Sequence, residues 1–574
     1  MNAPLLTEEF HLLAAAPNGV KKLRELILSL AVRGKLVAQD PKDEPASELL
    51  KRITKAGTQL LDGATRKASK PMPVMGDGEW PFALPDGWQW SRVGYLSSVV
   101  RGVSYNKSQA SDTQLSGYLP LLRGHNINQR LNLDNLVFVP ETLISEDQYI
   151  RSGDIVIAMS SGSAHLVGKA AQAASDLDVG FGAFCGLIRA HSEELCRYFG
   201  FFFQTPLYRN RVAGHGKGIG INNLQKGALL ALECPVPPLA EQHRIVAKVD
   251  ELMALCDKLD AQQTTQSAAH ERLVATLLDT LTQSADVAAF ADNWSRIAEH
   301  FDLLFDTPES IDKLKQTILQ LAVQGKLVLQ APQEEAASEI LKRIEMERTM
   351  LINEGKIKNE KPSQPISDDE VPFSLPKQWE WVRLNNLLPV FQNGASSRGD
   401  SGGVPVAVLR LADIKNGFVS LEDLRRLPIA QQDIEKYKLS DGDLLIIRVN
   451  GSVDLVGRFI PIVKAPSAIY CDHFIRMRIS PKFIHLKFLS LVASSRFCRD
   501  QIGGLFVTTA GQKTVNQGHI GSLLIPLPST AEQHRIVAKV DELMAVCDAI
   551  AARLSAAREL AAKLASTVAE ANLS

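Results

Sequence analysis

The sequence lacks the features that mark membrane-spanning and secreted proteins. No run of about 18 apolar residues occurs among its 574 residues, so a membrane span is not expected. The first residues lack a basic start followed by an apolar stretch, which argues against a secretory signal. The seven cysteines include no CxxC pair, and their odd number argues against a disulfide framework. These absences predict a cytoplasmic protein with buried, structural thiols.

Motifs of common catalytic and metal sites are also missing. There is no GxxxxGK[ST] phosphate loop, no GxGxxG that opens a helix, no HExxH and no Cys/His cluster. His243 and His534 lie in predicted helices, where an exposed or packing role is favoured over catalysis. We therefore expect a protein that is not an enzyme and carries no cofactor or metal of its own.

Charge is distributed unevenly along the chain. The net charge is only −1, but residues 81–239 carry +1 and residues 371–530 carry +7, which leaves −9 for the rest. A basic excess confined to two segments suits domains that meet phosphates, joined by acidic elements that do not.

The chain contains one 15-residue string twice. Ala240–Ala254 recurs unchanged as Ala531–Ala545, and other pairs share the same spacing of 291 residues. Among them, the string around Gly34 matches the string around Gly325, and Trp88 with Trp90 matches Trp379 with Trp381. A constant spacing across separate segments indicates two copies of one unit.

The repeated string predicts a long helix. Apolar residues fall at Ile245, Val249, Leu252, Cys256 and Leu259, in steps of four and three, the a/d pattern of a coiled coil. The first copy follows Pro238 and is predicted to run to about Thr282; at 1.5 Å per residue it would span about 65 Å. The second copy follows Pro528 and has the same spacing at the following positions: Ile536, Val540, Leu543, Cys547 and Ile550.

A second repeated element predicts another helix, ended by Gly34 in the first copy and Gly325 in the second, where a left-handed turn suits glycine. Short helices and then loops are predicted after each glycine, at the following ranges: helices Glu48–Ile53 and Glu339–Met346, loops Lys55–Asp77 and Asn353–Asp369.

The order of the repeats predicts a circular arrangement. The centre holds a long helix followed by the Gly325 helix, whereas the N-terminal part holds only the Gly34 helix and the C-terminal part only a long helix. The two ends together therefore equal the centre. Five segments follow from this order: 1–79 an N-terminal helical segment, 80–239 and 371–530 two globular domains, 240–370 a central helical spacer, and 531–574 a helix that pairs with the N-terminal segment and the central helix.

The two globular segments are predicted to be mixed α/β (α+β) domains. Their candidate strands are the following: Leu119–Leu122, Asp154–Ala158, Val406–Leu409 and Asp443–Ile447. Weakly matching strings at a spacing of 289 residues, such as Gly153-Asp154-Ile155 and Gly442-Asp443-Leu444, indicate one scaffold with different loops. We expect tandem recognition domains joined by long antiparallel coiled-coil helices, with internal pseudo-twofold symmetry.

The combination resembles the specificity subunit of type I restriction–modification systems. The strings that carry the resemblance are the two copies of the long-helix string, each with its preceding proline, the Arg/Gln-Gly-Lys-Leu-Val strings, "GAFCG" at Gly182–Gly186 and "IVIAMSSGS" at Ile155–Ser163. The resemblance covers essentially the whole chain and is specific only in combination.

This resemblance implies a function and a set of partners. Residues 80–239 and 371–530 would be target-recognition domains that each read one half of a bipartite, asymmetric site in double-stranded DNA. The helices would fix the distance between the half-sites and dock two methyltransferase (modification) subunits and, through them, the restriction/translocase subunits. S-adenosylmethionine, ATP and Mg²⁺ would belong to those partners, and no membrane would be involved.

DNA contacts require cationic and amide side chains on glycine-rich loops. The candidates in the first domain are the following: Arg101, Tyr105, Lys107, Arg123, His125, Asn126, Asn128, Ser161, Ser163 and Lys217. Those in the second are the following: Arg398, Arg410, Lys415, Arg448, Asn450, Ser452, Thr509 and Lys513. The tryptophans at positions 88, 90, 379 and 381 are predicted to anchor the domain cores.

Two other classes of function remain open at this point. One is a self-contained DNA methyltransferase or nuclease, which the missing cofactor motifs disfavour. The other is a coiled-coil scaffold with no role on DNA.

Overall fold

The computed structural model describes residues 13–62, 80–213, 222–285, 287–358, 365–396, 403–415, 417–509 and 511–573. Contacts divide the chain into two compact units. Unit 1 consists of residues 1–265 together with 557–574, and unit 2 of residues 266–556. The last segment of the chain thus belongs to the same unit as the first.

Unit 1 combines helices with short strands. Its helices are the following: α1 Gly19–Val32, α2 Ala46–Asp62, α3 Val93–Leu96, α4 Glu193–Phe202, α5 Pro206–Ala213, α6 Lys226–Leu230 and the first part of α7 Leu239–Thr282. Its strands are the following: β1 Gln89–Arg92, β2 Ser97–Arg101, β3 Tyr118–Leu122, β4 Val137–Pro140, β5 Ile155–Ala158, β6 Ser160–Ser161, β7 Ala170–Gln172, β8 Gly180–Phe181, β9 Cys185–Ala190, β10 Asn222–Asn223 and β11 Glu233–Val236.

The strands of unit 1 form small separate sheets. The largest is antiparallel, in the order β2-β9-β5-β7; a three-stranded sheet β4-β3-β8 pairs β3 with β8 in parallel; β1 pairs with β11, and β6 with β10. Strand β5 is apolar and buried at all four positions, as expected for a strand covered on both faces. Its two faces contribute to two different hydrophobic clusters.

Unit 2 contains the same kinds of elements. Its helices are the rest of α7 and the following: α8 Val287–Ala298, α9 Phe301–Leu304, α10 Pro308–Val323, α11 Ala337–Asn353, α12 Gln431–Tyr437, α13 Leu486–Ser494, α14 Arg496–Gly504, α15 Gln517–Gly521 and the first part of α16 Thr530–Leu573. Its strands are the following: β12 Glu380–Arg383, β13 Val390–Asn393, β14 Val404–Leu409, β15 Ile414–Lys415, β16 Phe418–Val419, β17 Arg425–Ile429, β18 Leu444–Ile447, β19 Val449–Asn450, β20 Phe459–Pro461, β21 Ala468–Tyr470, β22 Phe474–Arg478, β23 Val507–Thr509, β24 Gln512–Thr514 and β25 Leu524–Leu527.

The sheets of unit 2 follow the connectivity of unit 1. The antiparallel sheet β13-β22-β18-β20 corresponds to β2-β9-β5-β7, and β17-β14-β21 corresponds to β4-β3-β8 with the same parallel pair. The pair β12-β25 corresponds to β1-β11, while β19-β24-β23 has one strand more than β6-β10. Each unit is therefore α+β, with one framework and different loops.

Matching side-chain contacts support this equivalence. The indole Nε1 of Trp88 donates to Glu241 at 2.9 Å, and that of Trp379 donates to Glu532 at 3.0 Å. Each bond joins the entrance of a domain to the first turn of the long helix that follows it. Trp88, Trp90 and Trp379 are buried and Trp381 is half-buried, which agrees with their predicted role as core anchors.

The helices agree with the predicted end of the first long helix and the two predicted glycine turns, and they correct two predicted helix lengths. Helix α7 ends at Thr282, and Gly34 and Gly325 both have a φ of 69°. In unit 1, Ile245, Val249 and Cys256 of α7 lie in one hydrophobic cluster with α1 and with Ala565 of α16. Two predicted helices were too short, because α2 and α11 each extend over 17 residues. Part of the predicted loop Lys55–Asp77 is thus helical, and its remainder lies outside the described residues.

Among the described residues, none of the helices is long and apolar enough to cross a membrane.

Candidate nucleic-acid interface

Four loop segments of unit 1 meet at the edge of its three-stranded sheet. They are residues 101–107, 123–128, 159–163 and 182–185, named here the unit 1 junction. Gly182 N donates to the carbonyl of Leu122 at 2.9 Å, and Val103 N donates to that of Phe181 at 2.8 Å. The carbonyl of Phe184 accepts from the amides of Met159 and Ser160 at 2.8 and 3.0 Å. Backbone hydrogen bonds therefore hold the four segments in fixed positions.

The backbone is crowded where these segments cross. A Cβ on Gly102 would lie 2.1 Å from the carbonyl oxygen of Gly182, and in unit 2 a Cβ on Gly394 would lie 2.0 Å from that of Cys471. Both positions require glycine because the neighbouring backbone atoms cannot move aside cheaply. The same close approach of two backbone segments therefore occurs in both units.

Unit 2 repeats the arrangement with other side chains. Its junction consists of residues 393–396, 410–415, 448–452 and 471–474. Cys471 N donates to the carbonyl of Leu409 at 3.1 Å, Ala395 N to that of Tyr470 at 2.9 Å, and Arg448 N to that of His473 at 2.7 Å. These bonds occupy the positions of the bonds in unit 1.

Most of the predicted residues in unit 1 lie on the surface of its junction. Arg101 ends β2, Lys107 begins a 3-10 turn and His125 lies in another, and all three side chains are exposed. Tyr105 and Arg123 are half-buried; the Arg123 guanidinium donates to the carbonyl of Asn135 at 3.1 Å. The exposed guanidinium of Arg101 and ammonium of Lys107 can meet phosphates.

The remaining predictions in this part of unit 1 differ in their outcome. Asn128 is exposed. Asn126 is fully buried: its Oδ1 accepts from Arg123 N at 2.8 Å, and its Nδ2 donates to the carbonyls of Asn132 and Asp134. The prediction of Asn126 as a DNA contact is therefore corrected, since its amide groups are used up inside the loop.

A two-stranded ribbon extends the unit 1 junction. Ser160 and Ser161 pair with Asn223 and Asn222, and Ser160 Oγ lies 2.7 Å from Asn223 Oδ1. Ser161 is half-buried and its Oγ accepts from the amide of Ser163, which is exposed. Lys217 lies outside the described residues.

In unit 2 the predicted cations are tied to neighbouring groups. Arg410 forms an ion pair of 3.1 Å with the buried Asp413, and Lys415 forms an exposed pair of 3.1 Å with Glu422. Arg448 is half-buried and donates to the carbonyl of Asp472 at 3.3 Å. Arg410 thus supports its loop and presents 39% of its side chain to solvent.

The ribbon of unit 2 contains three other predicted residues. Asn450 pairs with Lys513, whose Nζ donates to the carbonyl of Gly451 at 3.2 Å, and the Asn450 carboxamide accepts from the amide of Ser452. Ser452 is exposed. Thr509 ends β23, and Arg398 lies outside the described residues.

Several residues at these surfaces were not predicted. Asn222 and Asn223 face the serines of β6, Arg425 and Arg426 are exposed on β17 beside β14, and Phe184 is exposed. The arginines follow an acidic stretch and do not lie in a glycine-rich loop, so the search for polar residues in glycine-rich loops did not include them. Phe184 lies within the string GAFCG, but its apolar side chain was not considered as a contact.

Thiols near the junctions are unsuited to nucleophilic chemistry. Burial raises the pKa of Cys185 to about 12 and also raises that of Cys471, so both thiols are protonated at neutral pH. Among the described residues, the potential metal ligands that cluster are the consecutive residues Cys471, Asp472 and His473.

Two α+β units that keep one framework and vary the loops at one junction define a tandem recognition protein. Comparison with known proteins specifies the family. A family model described as the type I restriction modification DNA specificity domain matches residues 85–267.

The relatives match over nearly the whole chain. It is 35% identical to the EcoAI specificity subunit of a type I restriction enzyme from Escherichia coli, over 96% of this chain and 94% of that protein. It is also 35% identical to the EcoEI specificity subunit from Escherichia coli, over 97% of this chain and 94% of that protein. A solved chain from a type I R-M system is 16% identical, with 86% of this chain and 99% of that chain covered and a TM-score of 0.47. The chain belongs to the family of type I restriction enzyme specificity subunits.

Proposed function

We propose that this chain reads a bipartite, asymmetric site in double-stranded DNA, with the junction of unit 1 on one half-site and that of unit 2 on the other. The observation that carries the proposal is the pair of junctions: their backbones share several equivalent hydrogen bonds, whereas their side chains differ. Two similar frameworks with different loop side chains suit two half-sites of different sequence. Side chains distinguish the base edges, whereas contacts between cations and phosphates carry no sequence information.

The long helices serve as spacers in this proposal. Helices α7 and α16 each have 44 residues, so each is about 65 Å long at 1.5 Å per residue. They would run antiparallel as a coiled coil within a circular, pseudo-twofold arrangement and so fix the distance between the half-sites. The predicted division into five segments, 1–79, 80–239, 240–370, 371–530 and 531–574, belongs to the same proposal.

The partners follow from the family. Two methyltransferase (modification) subunits and, through them, restriction/translocase subunits would dock on the helical segments, in the cytoplasm. The chain itself would be non-catalytic, so S-adenosylmethionine, ATP and Mg²⁺ would be bound by those partners. The neutral thiols at the junctions are consistent with this division of labour.

Methylated bases mapped in a host genome, with and without this chain, test the proposal. The expected result is a chain-dependent motif with two unequal halves and a fixed gap. A continuous palindrome would contradict it, and methylation by the purified chain alone would contradict its non-catalytic role. Exchange of residues 371–530 for those of another family member should change one half of the motif and leave the other half intact.

A further inference from the structure

One side chain at each junction differs in chemistry while its backbone is held in the same way. Phe184 lies in the turn between β8 and β9, and His473 lies in the corresponding turn between β21 and β22. Cys185 N donates to the carbonyl of Gly182 at 2.8 Å, and Phe474 N donates to that of Cys471 at 3.1 Å. The two turns are therefore equivalent, and position 184 of unit 1 corresponds to position 473 of unit 2.

Both positions are fixed and exposed. The carbonyl of Phe184 accepts two backbone hydrogen bonds from the segment 159–163, and the carbonyl of His473 accepts one from Arg448. Phe184 is 65% exposed, whereas its neighbours Gly182 and Cys185 are buried. Single exposed apolar residues are common, but Phe184 lies where its segment meets the polar segment 159–163, held there by the two hydrogen bonds to its carbonyl.

The contacts of the His473 ring define its chemistry. Its Nδ1 lies 3.2 Å from Asp472 Oδ1. Cys471 Sγ lies 3.8 Å from the same nitrogen. Both ring nitrogens of an imidazole can take part in hydrogen bonds, so the exposed His473 ring offers a polar edge. Phe184, in contrast, offers neither donor nor acceptor, and its ring is suited to an apolar group.

We propose that Phe184 and His473 are equivalent base-reading positions: the Phe184 ring contacts the 5-methyl group of a thymine, and the His473 ring forms a hydrogen bond with a base edge of the other half-site. This inference rests on the proposed function. In the major groove the methyl group is the apolar mark of thymine, whereas the other groups that distinguish the base edges are hydrogen-bond donors and acceptors. The difference between Phe184 and His473 then helps the two units to recognise half-sites of different sequence.

Removal of single methyl groups from DNA tests the role of Phe184. The chain is purified with its modification subunits, and binding is measured to duplexes in which deoxyuridine replaces each thymine of the unit 1 half-site in turn. At one position the replacement should weaken binding about tenfold, the loss typical of one missing methyl contact. Phe184→Ala should weaken binding to the unmodified duplex by a similar factor and should abolish the sensitivity at that position.

Matched variants separate this inference from the proposed function. Leu115→Ala removes another exposed apolar side chain of unit 1 that lies outside the junction and should retain the deoxyuridine sensitivity. His473→Ala should reduce discrimination at one position of the other half-site only. The complex could read a bipartite site while each deoxyuridine weakens the binding of Phe184→Ala as much as that of the original chain. In that case the inference is wrong. If the original complex reads no bipartite site, the proposed function itself fails.

Discussion

Two buried carboxylates hold the central strands of the antiparallel sheets. Asp154 forms a bidentate pair with Arg189 at 2.6 and 2.9 Å, and Asp443 forms one with Arg478 at 2.6 and 2.8 Å. The arginines differ in their access to water, since 22% of the Arg189 side chain and 46% of the Arg478 side chain are exposed. The same ion pair therefore contributes a different amount to the stability of each unit.

The Asp154→Ala substitution should destabilise unit 1 by about 3–5 kcal/mol, because it leaves the largely buried Arg189 guanidinium with the backbone carbonyls of Asp147 and Tyr149 but without an opposite charge. Denaturant titration, with hydrogen exchange at β5 to identify the unit that unfolds, measures the loss. Asp443→Ala should cost less, since Arg478 can be hydrated. Glu146→Gln, in an exposed pair 4.0 Å from Arg151, should have almost no effect; a loss equal to that of Asp154→Ala would contradict this account.

Burial of Glu241 makes stability depend on pH. Desolvation raises its pKa, and hydrogen bonds from Trp88 and Gln39 offset this only in part. The folded chain then holds the proton more tightly than the unfolded chain, so stability is greatest below the unfolded pKa and falls as pH rises through the folded pKa.

Glu241→Gln should remove that fall, because the amide keeps an acceptor for Trp88 but does not ionise. The variant should be more stable than the original chain at pH 7 and about equally stable near pH 4, as measured by urea denaturation at both values. Glu251→Gln changes an exposed residue of the same helix and serves as the control. A gain that is the same at both pH values would show that ionisation is not its cause.

At the scale of elements, the turn after α1 depends on a glycine for two reasons. Gly34 has a φ of 69°, and a Cβ there would lie 2.4 Å from Cγ of Pro85. Gly117 has a similar φ of 74°, but a Cβ there would meet nothing within 4 Å. A comparison of alanine substitutions at Gly117 and Gly34 therefore distinguishes the cost of backbone strain from the cost of steric overlap.

Gly117→Ala should cost about 1 kcal/mol, the price of a left-handed conformation for an L-residue. Gly34→Ala should cost more, about 2–3 kcal/mol, because the ring of Pro85 must also shift. Thermal or urea unfolding of the two variants measures both effects. Equal losses would mean that the contact with Pro85 relaxes freely.

The elements were predictable to the extent that local pattern decides them. The predicted strands correspond to β3, β5, β14 and β18, and the repeated string corresponds to α7 and α16, because apolar runs and heptad spacing are local signals. Helix α2 was predicted too short because Gly57 and polar residues follow Ile53, and α11 because Glu347, Arg348 and Thr349 follow Met346; both runs interrupt the apolar spacing. The junctions depend on backbone hydrogen bonds between segments far apart in the sequence, as between Val103 and Phe181 in unit 1 and between Ala395 and Tyr470 in unit 2, and no local pattern encodes these.

The site residues show the same division. The presence of glycine and cationic residues in a loop correctly predicted many of the exposed side chains around the junctions. The burial of Asn126 follows from carbonyls of residues 132 and 134 that fold back on it, and the position of Phe184 depends on backbone hydrogen bonds to the segment 159–163. Both outcomes depend on tertiary structure.

At the scale of the whole molecule, the end of the chain completes unit 1. Lys22 Nζ donates to Ser566 Oγ at 2.8 Å, and Ala565 lies buried in the hydrophobic cluster that contains Leu23 and Ile27. Unit 2, in contrast, is one continuous stretch of chain. The C-terminal segment therefore affects the stability of the N-terminal unit.

Ala565→Asp should loosen unit 1 and leave unit 2 unchanged, because it buries an unpaired carboxylate beside α1. Hydrogen exchange should become faster in Gly19–Val32 and remain slow in β18. Ala557→Asp, at an exposed position of the same helix, provides the control. Faster exchange in both units with Ala565→Asp would contradict the assignment of this segment to unit 1.

The return of residues 557–573 to unit 1 has a consequence for the order of events during synthesis. Domains generally fold as units as the chain emerges from the ribosome, and here the second unit can be complete while the first still lacks its closing helix. A nascent chain that stops early would carry a finished unit 2 beside an unfinished unit 1. Unit 1 therefore completes its fold last, although its synthesis begins first.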